Sequence, residues 1–316
     1  MPKNRTTQSQ ESTMTQPIID MRSRPAYLHD FFGATPGTPA YDTAKWLNRR
    51  VGSQDPEHFR RSYTIEGYLA EIEAAGVSKA VVVGRETPSL TISNDEIANL
   101  VGHSDKLIGL GSVDIQQRGE KSAIEEINRA INTFGFRAIN IEPGFGEPAL
   151  QADDPVFFPV YEECLHFDVP VCLMSGPTTP DFAYAQPAAV ARLARRYPLL
   201  KIICFHGYYP YVNEIVGAAF RYDNIYLVPD MYIFQPGSQL YVEAANTFLA
   251  DQLLFGSSYP FRAMQQTVQD FAALGFKDEV LDKVFYQNAA RLLGVNLLAK
   301  SAPRQPIAKT VTAATA

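Results

Sequence analysis

The sequence predicts an α/β protein folded as a (β/α)8 barrel. Short β-branched runs alternate with amphipathic segments about eight times along residues 17–296. Strands that alternate with helices pair in parallel through right-handed crossovers. Eight such units in roughly 280 residues fit a closed barrel better than an open sheet. No G-x-G-x-x-G follows the first strand, which lowers the dinucleotide-binding alternative.

Each element has its own signal. The first strand is "PIID", from Pro17. A loop-rich insert follows over about residues 23–63, with several Pro and Gly. "TIEGYLAEIEAAG" reads as a helix, because Ile65, Leu69 and Ile72 recur at helical spacing and Gly76 ends it. "KAVVVG" is the second strand. "SNDEIANLVGHS" is a helix with Ser93 or Asn94 as N-cap and acids in its first turn. "LIGLGSVD" is the third strand, "EKSAIEEINRAINTFG" its helix, and "RAINIEPG" the fourth strand. "PVFFPVYEECLHFD" is a helix opened by Pro155 after Asp154. "VPVCLMSG", "LKIICFHG", "NIYLVPD" and "QLLFGSSYP" are strands five to eight. Between them lie the helices "PAAVARLARRYP", "VNEIVGAAFRYD" and "SQLYVEAANTFLA". "QQTVQDFAALG" and "DEVLDKVFYQNAARLLG" finish the core as helices.

This organisation predicts one barrel domain over residues 17–296. Residues 1–16 are polar, with no apolar h-region, and read as a disordered arm rather than a secretory signal. Residues 297–316 lack periodicity and read as a disordered tail. A net charge of −6 without any Lys/Arg run argues against nucleic acid as a partner. No stretch is apolar enough to span a membrane, so no membrane partner is expected and the cytoplasm is the default location. Cys164, Cys172 and Cys204 are odd in number and sit in apolar or helical patterns, so they read as buried reduced thiols.

In such barrels chemistry sits at the C-terminal ends of the strands. Those ends carry Asp20, Arg22 and Arg24; Arg85 and Glu86; Asp114; Asn140 and Glu142; Met174 and Ser175; His206; Asp230 and Tyr232; and Ser257, Ser258 and Tyr259. Positions i and i+2 of a strand share a face, so Arg22 and Arg24 both reach the mouth if the strand continues that far. With Arg85, and against Glu142 and Asp230, they leave about one positive charge in an acidic protein. Such a pocket suits a small carboxylated substrate, because Arg grips carboxylates bidentately. In the plainer alternative the arginines pair with Glu142, Asp230 or Glu86 and brace the rim. His206, before Gly207, is the candidate general base, with Glu142 or Asp230 as runner-up. Met174, Tyr232 and Tyr259 read as pocket wall, and Ser258 as a pocket hydrogen-bonder or a turn hydroxyl. His29, His58, His103 and His166 read as structural; the insert could be a lid or a subunit contact, its "WLNRR" at 46–50 offering an aromatic and two cations, with Arg49 and Arg50 read as part of a surface helix or loop.

The order of strand endings resembles the amidohydrolase-related proteins of the aminocarboxymuconate-decarboxylase type (amidohydrolase family 2). "IID", "PVCLMSGP", "KIICFHGYYP", "LLFGSSYP" and "YQNAARLLG" carry the resemblance from Ile18 to Gly294. It implies the amidohydrolase-like TIM barrel. It also implies a divalent metal held by H-x-H after strand one, His at strands five and six, and Asp at strand eight. Here those positions hold Arg22 and Arg24, Met174, His206 and Ser258. Only His206 is a metal ligand by type, so the expected cofactor is none. A divalent ion at a displaced site of Glu142, Asp230 and His206 is the alternative.

Three functions follow. The first is a metal-independent hydrolase of the lactone or ester type, as the resemblance implies for relatives without metal. Arg22 and Arg24 would replace the ion's charge, Arg85 would add an anion contact, and Ser258 and Tyr259 would orient substrate. The second is a non-oxidative decarboxylase or other lyase of the same family. The third is a barrel that binds carboxylates without turning them over. A homo-oligomer is also implied by the resemblance.

Overall fold

A computed structural model of the chain describes residues 17–296 except 54 and 56. The expected N-terminal arm and C-terminal tail lie outside the described residues. Seven parallel strands form the sheet in the order β1 (Ile19–Ser23), β2 (Lys79–Val83), β5 (Leu107–Ser112), β6 (Ile139–Ile141), β7 (Val171–Met174), β8 (Ile202–Phe205) and β9 (Ile225–Val228). A two-stranded antiparallel hairpin, β3 (Arg85–Thr87) and β4 (Leu90–Ile92), interrupts the repeat after β2.

The eighth stave is a segment rather than a regular strand. The Leu227 amide donates to the Gln252 carbonyl at 2.8 Å and the Leu254 amide to the Leu227 carbonyl at 2.9 Å. On the other side, Met21 donates to Phe255 at 3.0 Å, Ser258 to Arg22 at 2.9 Å and Arg24 to Tyr259 at 2.9 Å. These bonds join β9 to β1 and close the ring. The ladder breaks because Ser258 sits at φ 54°, outside the extended region a strand needs.

Alternation along the strands builds two apolar layers. Ile19, Met21, Val81, Val83, Leu110, Cys172, Ile203, Phe205 and Leu254 fill the barrel interior. Ala80, Val82, Leu173, Cys204 and Leu227 face the surrounding helices. All three cysteines are buried and free, as their sequence context predicts. Strict alternation from Ile19 and Met21 would send Arg22 outward. A register shift between Asp20 and Ser23 interrupts it, and the Arg22 side chain enters the mouth. No helix among the described residues is long and apolar enough to cross a membrane.

The insert after β1 is more ordered than its composition suggests. It carries a 12-residue helix, Pro39–Arg50, with Thr38 Oγ1 accepting from the Tyr41 amide and Pro39 in the first turn. Asn48 Nδ2 donates to the Phe261 carbonyl at 2.9 Å and ties this helix over the mouth. Ser93 caps the helix Asn94–Gly102 in a capping box with Glu96.

Candidate active site

His206 directly follows β8 and is the centre of the site. Its Nδ1 lies 2.8 Å from Asp230 Oδ2 and 3.0 Å from Oδ1. A carboxylate on Nδ1 fixes that nitrogen as N–H and leaves Nε2 for chemistry. The His206 side chain lines a cavity of about 300 Å³ at the barrel mouth. Burial, reinforced by the Arg22 guanidinium, holds His206 below the usual imidazole pKa, against the pull of Asp230.

The backbone here is held in an uncommon state. Five non-glycine residues among those described have positive φ; three of them, His206 (59°), Asp230 (44°) and Ser258 (54°), follow the last three staves. Such conformations cost on the order of 1–3 kcal/mol each and cluster where side chains must be aimed. Gly207 follows at φ 56°, where a Cβ would meet Tyr241 Oη at 2.8 Å and Pro229 at 3.0 Å. Only glycine fits between His206 and that wall.

Three guanidinium groups surround the dyad. Arg22 Nε is 3.7 Å from Asp230, its Nη2 donates to Met174 Sδ at 3.0 Å, and its plane lies 4.9 Å from the Phe205 ring centre. Arg85 pairs with Glu142 at 2.8 Å and lies over Phe145. Arg24 donates from Nε to the Val83 carbonyl at 2.7 Å and lies over Phe32. Arg22 Nη1, Arg24 Nη2 and Arg85 Nε are buried without a hydrogen-bond partner among the described residues. Burial lowers the pKa of Arg22, and that of Arg24 further with Arg22 adding repulsion. Three cations against Asp230 and Glu142 leave one positive charge, with donors unused.

The structure thus brings Arg22, Arg85, Met174 and His206 to one cavity wall. Asp230 and Glu142 stand behind His206 and Arg85. Arg24 packs behind Phe32 rather than on the wall. Tyr232 packs edge-on to His206 at 4.9 Å and lines an adjoining cavity. Tyr259 does not face the cavity: its hydroxyl donates to the His58 carbonyl at 2.8 Å and its ring packs beside Tyr68. Ser258 Oγ is buried without a hydrogen-bond partner among the described residues and is not on the wall. Glu86 pairs with Arg118, so it braces none of the three arginines. The aromatic wall, Phe31, Phe32, Phe145 and Phe261, was not legible as such. Phe31, Phe32 and Phe145 lie in three-residue 3-10 turns and Phe261 in a bend, all too short for a periodicity to point a side chain.

Asp20 is buried beneath the site and accepts from the Arg22 amide and from both the amide and hydroxyl of Ser257. Burial outweighs these bonds and pushes its pKa up to about 7. The folded state therefore keeps a proton that the unfolded chain loses near pH 4. Stability is fullest below that point and falls as pH rises towards 7, by up to about 1.4 kcal/mol per pH unit. Asp20→Asn keeps an acceptor and removes the titration. Thermal melts between pH 5 and 8 are expected to show a shallower fall in Tm for Asp20→Asn than for the wild type. Parallel curves would contradict this account of Asp20.

The family's divalent ion does not fit these residues. No group of three or more His, Cys, Asp or Glu among those described is arranged to hold a metal. The Arg22 guanidinium lies between Met174 and Asp230, where it would repel a cation. The displaced set is engaged too, Glu142 with Arg85 and Asp230 with His206 and Arg22.

A parallel barrel with its charged residues gathered at the strand ends defines an enzyme-type mouth site. The chain belongs to the amidohydrolase family, whose model (Amidohydro_2) matches residues 47–295. It is 32% identical to an uncharacterized TIM-barrel protein of Bordetella bronchiseptica, with a TM-score of 0.80 over 88% of this chain and 98% of that one. It shares 40% identity over 72 residues with the 2-amino-3-carboxymuconate-6-semialdehyde decarboxylase of Dictyostelium discoideum, 22% of this chain. That match spans only 19% of the curated relative's length. A 2,6-dihydroxybenzoate decarboxylase, solved with 2,6-dihydroxybenzoate, is 19% identical with a TM-score of 0.64 over 89% of this chain and all of its own, a likeness of fold.

Proposed function

We propose that this protein is a non-oxidative decarboxylase of a small carboxylated aromatic or enol acid, working through arginine and a His–Asp pair. The observation that carries the reading is the His206–Asp230 contact at 2.8 Å, beside a cavity lined by Arg22 and Arg85, each of which has a donor without a partner among the described residues. Decarboxylases among the named relatives support this reaction over the hydrolysis that the residues alone favour.

The chemistry balances simply. Protonated His206 gives its Nε2 proton to the ring carbon that bears the carboxylate. The carbon–carbon bond then breaks, its electron pair restores the ring, and CO2 leaves. His206 regains a proton from water. The carboxylate must end neutral, so a cation clamped only on it would favour the ground state. The useful place for Arg22 is an adjacent hydroxyl or carbonyl oxygen, where charge changes during the reaction. The phenylalanine wall excludes water and favours loss of carboxylate charge.

Hydrolysis of a carboxylated ester or lactone is the second reading. It is favoured by one observation, the lowered pKa of His206, which suits a neutral base. Incubating the protein with 2,6-dihydroxybenzoate and related hydroxybenzoates, and with carboxylated lactones, separates the two. Release of CO2 with formation of the decarboxylated phenol is expected. Ring opening of a lactone with no CO2 from any acid would replace this reading with the second.

A further inference from the structure

A second cavity, of about 380 Å³, adjoins the first. The two share Leu47 and Thr178. Its wall is mostly apolar and aromatic, with Trp46, Val51, Pro177, Tyr209, Tyr232 and Pro236, and Arg50, Thr178 and Gln235 are its polar members. Tyr232 connects the chambers. Its ring meets His206 edge-on at 4.9 Å on one side and stacks on Tyr209 at 5.4 Å, 2° from parallel, on the other. The opposite wall comes from the insert helix Pro39–Arg50. That helix turns Tyr41, Ala44 and Leu47 to the core and leaves Trp46 43% exposed at the rim. The Arg50 guanidinium lies 5.5 Å from the Trp46 ring centre.

The reaction proposed above uses none of these rings except the edge of Tyr232. The aromatic rim and the parallel tyrosine stack together offer flat apolar faces that a planar group can cover. An apolar cavity of about 150 Å³ already accepts a benzene, so each chamber has room for one ring.

We infer that the outer chamber is a subsite for a second planar, apolar group of the substrate. The preferred substrate is then an extended acid, with its carboxylated ring in the inner cavity and an aryl or similar substituent between Trp46 and the Tyr209–Tyr232 stack. This rests on the reading of the inner cavity as the anion site.

Trp46 is the chain's single tryptophan, so its emission reports this chamber directly. The full chain is titrated with benzoate, with biphenyl-3- and biphenyl-4-carboxylate, and with neutral 4-phenylbenzamide, following fluorescence and calorimetry. At least one biphenyl acid is expected to bind about tenfold or more tighter than benzoate, as burial of a second ring implies. It is also expected to change Trp46 emission, and Trp46→Ala is expected to bring the two affinities together. Equal affinities in the wild type, or tighter binding that leaves Trp46 emission unchanged, would overturn the proposal. If no acid binds but the neutral amide still quenches Trp46, the inner anion site fails and the outer subsite stands. If the amide is also silent, the outer subsite fails as well.

Discussion

His206→Gln is expected to lower kcat by about 10²–10⁴-fold, the usual worth of a positioned proton donor. Glutamine keeps the size and a polar end but carries no transferable proton. Asp230→Asn is expected to fall nearly as far, because Asn can present its amide N–H to Nδ1 and favour the wrong tautomer. The two effects should not add, since Asp230 acts through His206. The pH profile gives a sharper test. If His206 donates the proton, kcat/KM for decarboxylation declines as pH rises past the free-enzyme pKa of His206, which burial holds below the usual imidazole value. If His206 is instead the base of a hydrolase, kcat/KM rises through the same pKa. Opposite limbs from one residue separate the two reactions without any variant.

Arg22→Met is expected to reduce kcat/KM by about 10²–10³-fold, the loss seen when a buried charge-stabilising donor is removed. Methionine fills similar volume against Met174 and Phe205, so packing is largely kept. Two consequences follow beyond activity. Arg22 now repels a proton on His206, so its removal should raise the His206 pKa, measurable by NMR titration. Binding of benzoate should weaken as well, because Arg22 lines the cavity and its Nη1 has no hydrogen-bond partner among the described residues. Arg22→Lys keeps the charge but not the planar fork, and should retain only part of the rate. A loss below about fivefold for Arg22→Met would remove Arg22 from the charge-stabilising role assigned by this account.

Much of this was legible from the chain. Strand endings named Arg22, Arg85, Met174 and His206 together, because a parallel barrel must bring those ends to one mouth. The His206–Asp230 pair follows from adjacent staves β8 and β9. What escaped has physical causes. Tyr259 shares the strand-end position but turns away, since the closing segment bends at Ser258 and its hydroxyl finds the His58 carbonyl. Arg24 and Arg22 were expected side by side. The register shift in β1 instead puts Arg22 on the cavity and Arg24 behind Phe32. The hairpin Arg85–Thr87/Leu90–Ile92 is too short for a periodic signal, yet it brings Leu90 to the cavity wall. The insert helix hid in a Pro- and Gly-rich stretch, although Thr38 and Pro39 mark its start.

In the proposed chemistry guanidinium charge, with His206 and Asp230, carries decarboxylation at the strand ends where the family resemblance implies a metal. Purified protein, prepared without added metals and treated with a strong chelator, should be assayed for CO2 release from the hydroxybenzoate it turns over best, with its metal content measured by elemental mass spectrometry in the same sample. The account predicts unchanged CO2 release at far less than one metal per chain. Loss of CO2 release on chelation, restored by about one equivalent of manganese or zinc, would contradict it.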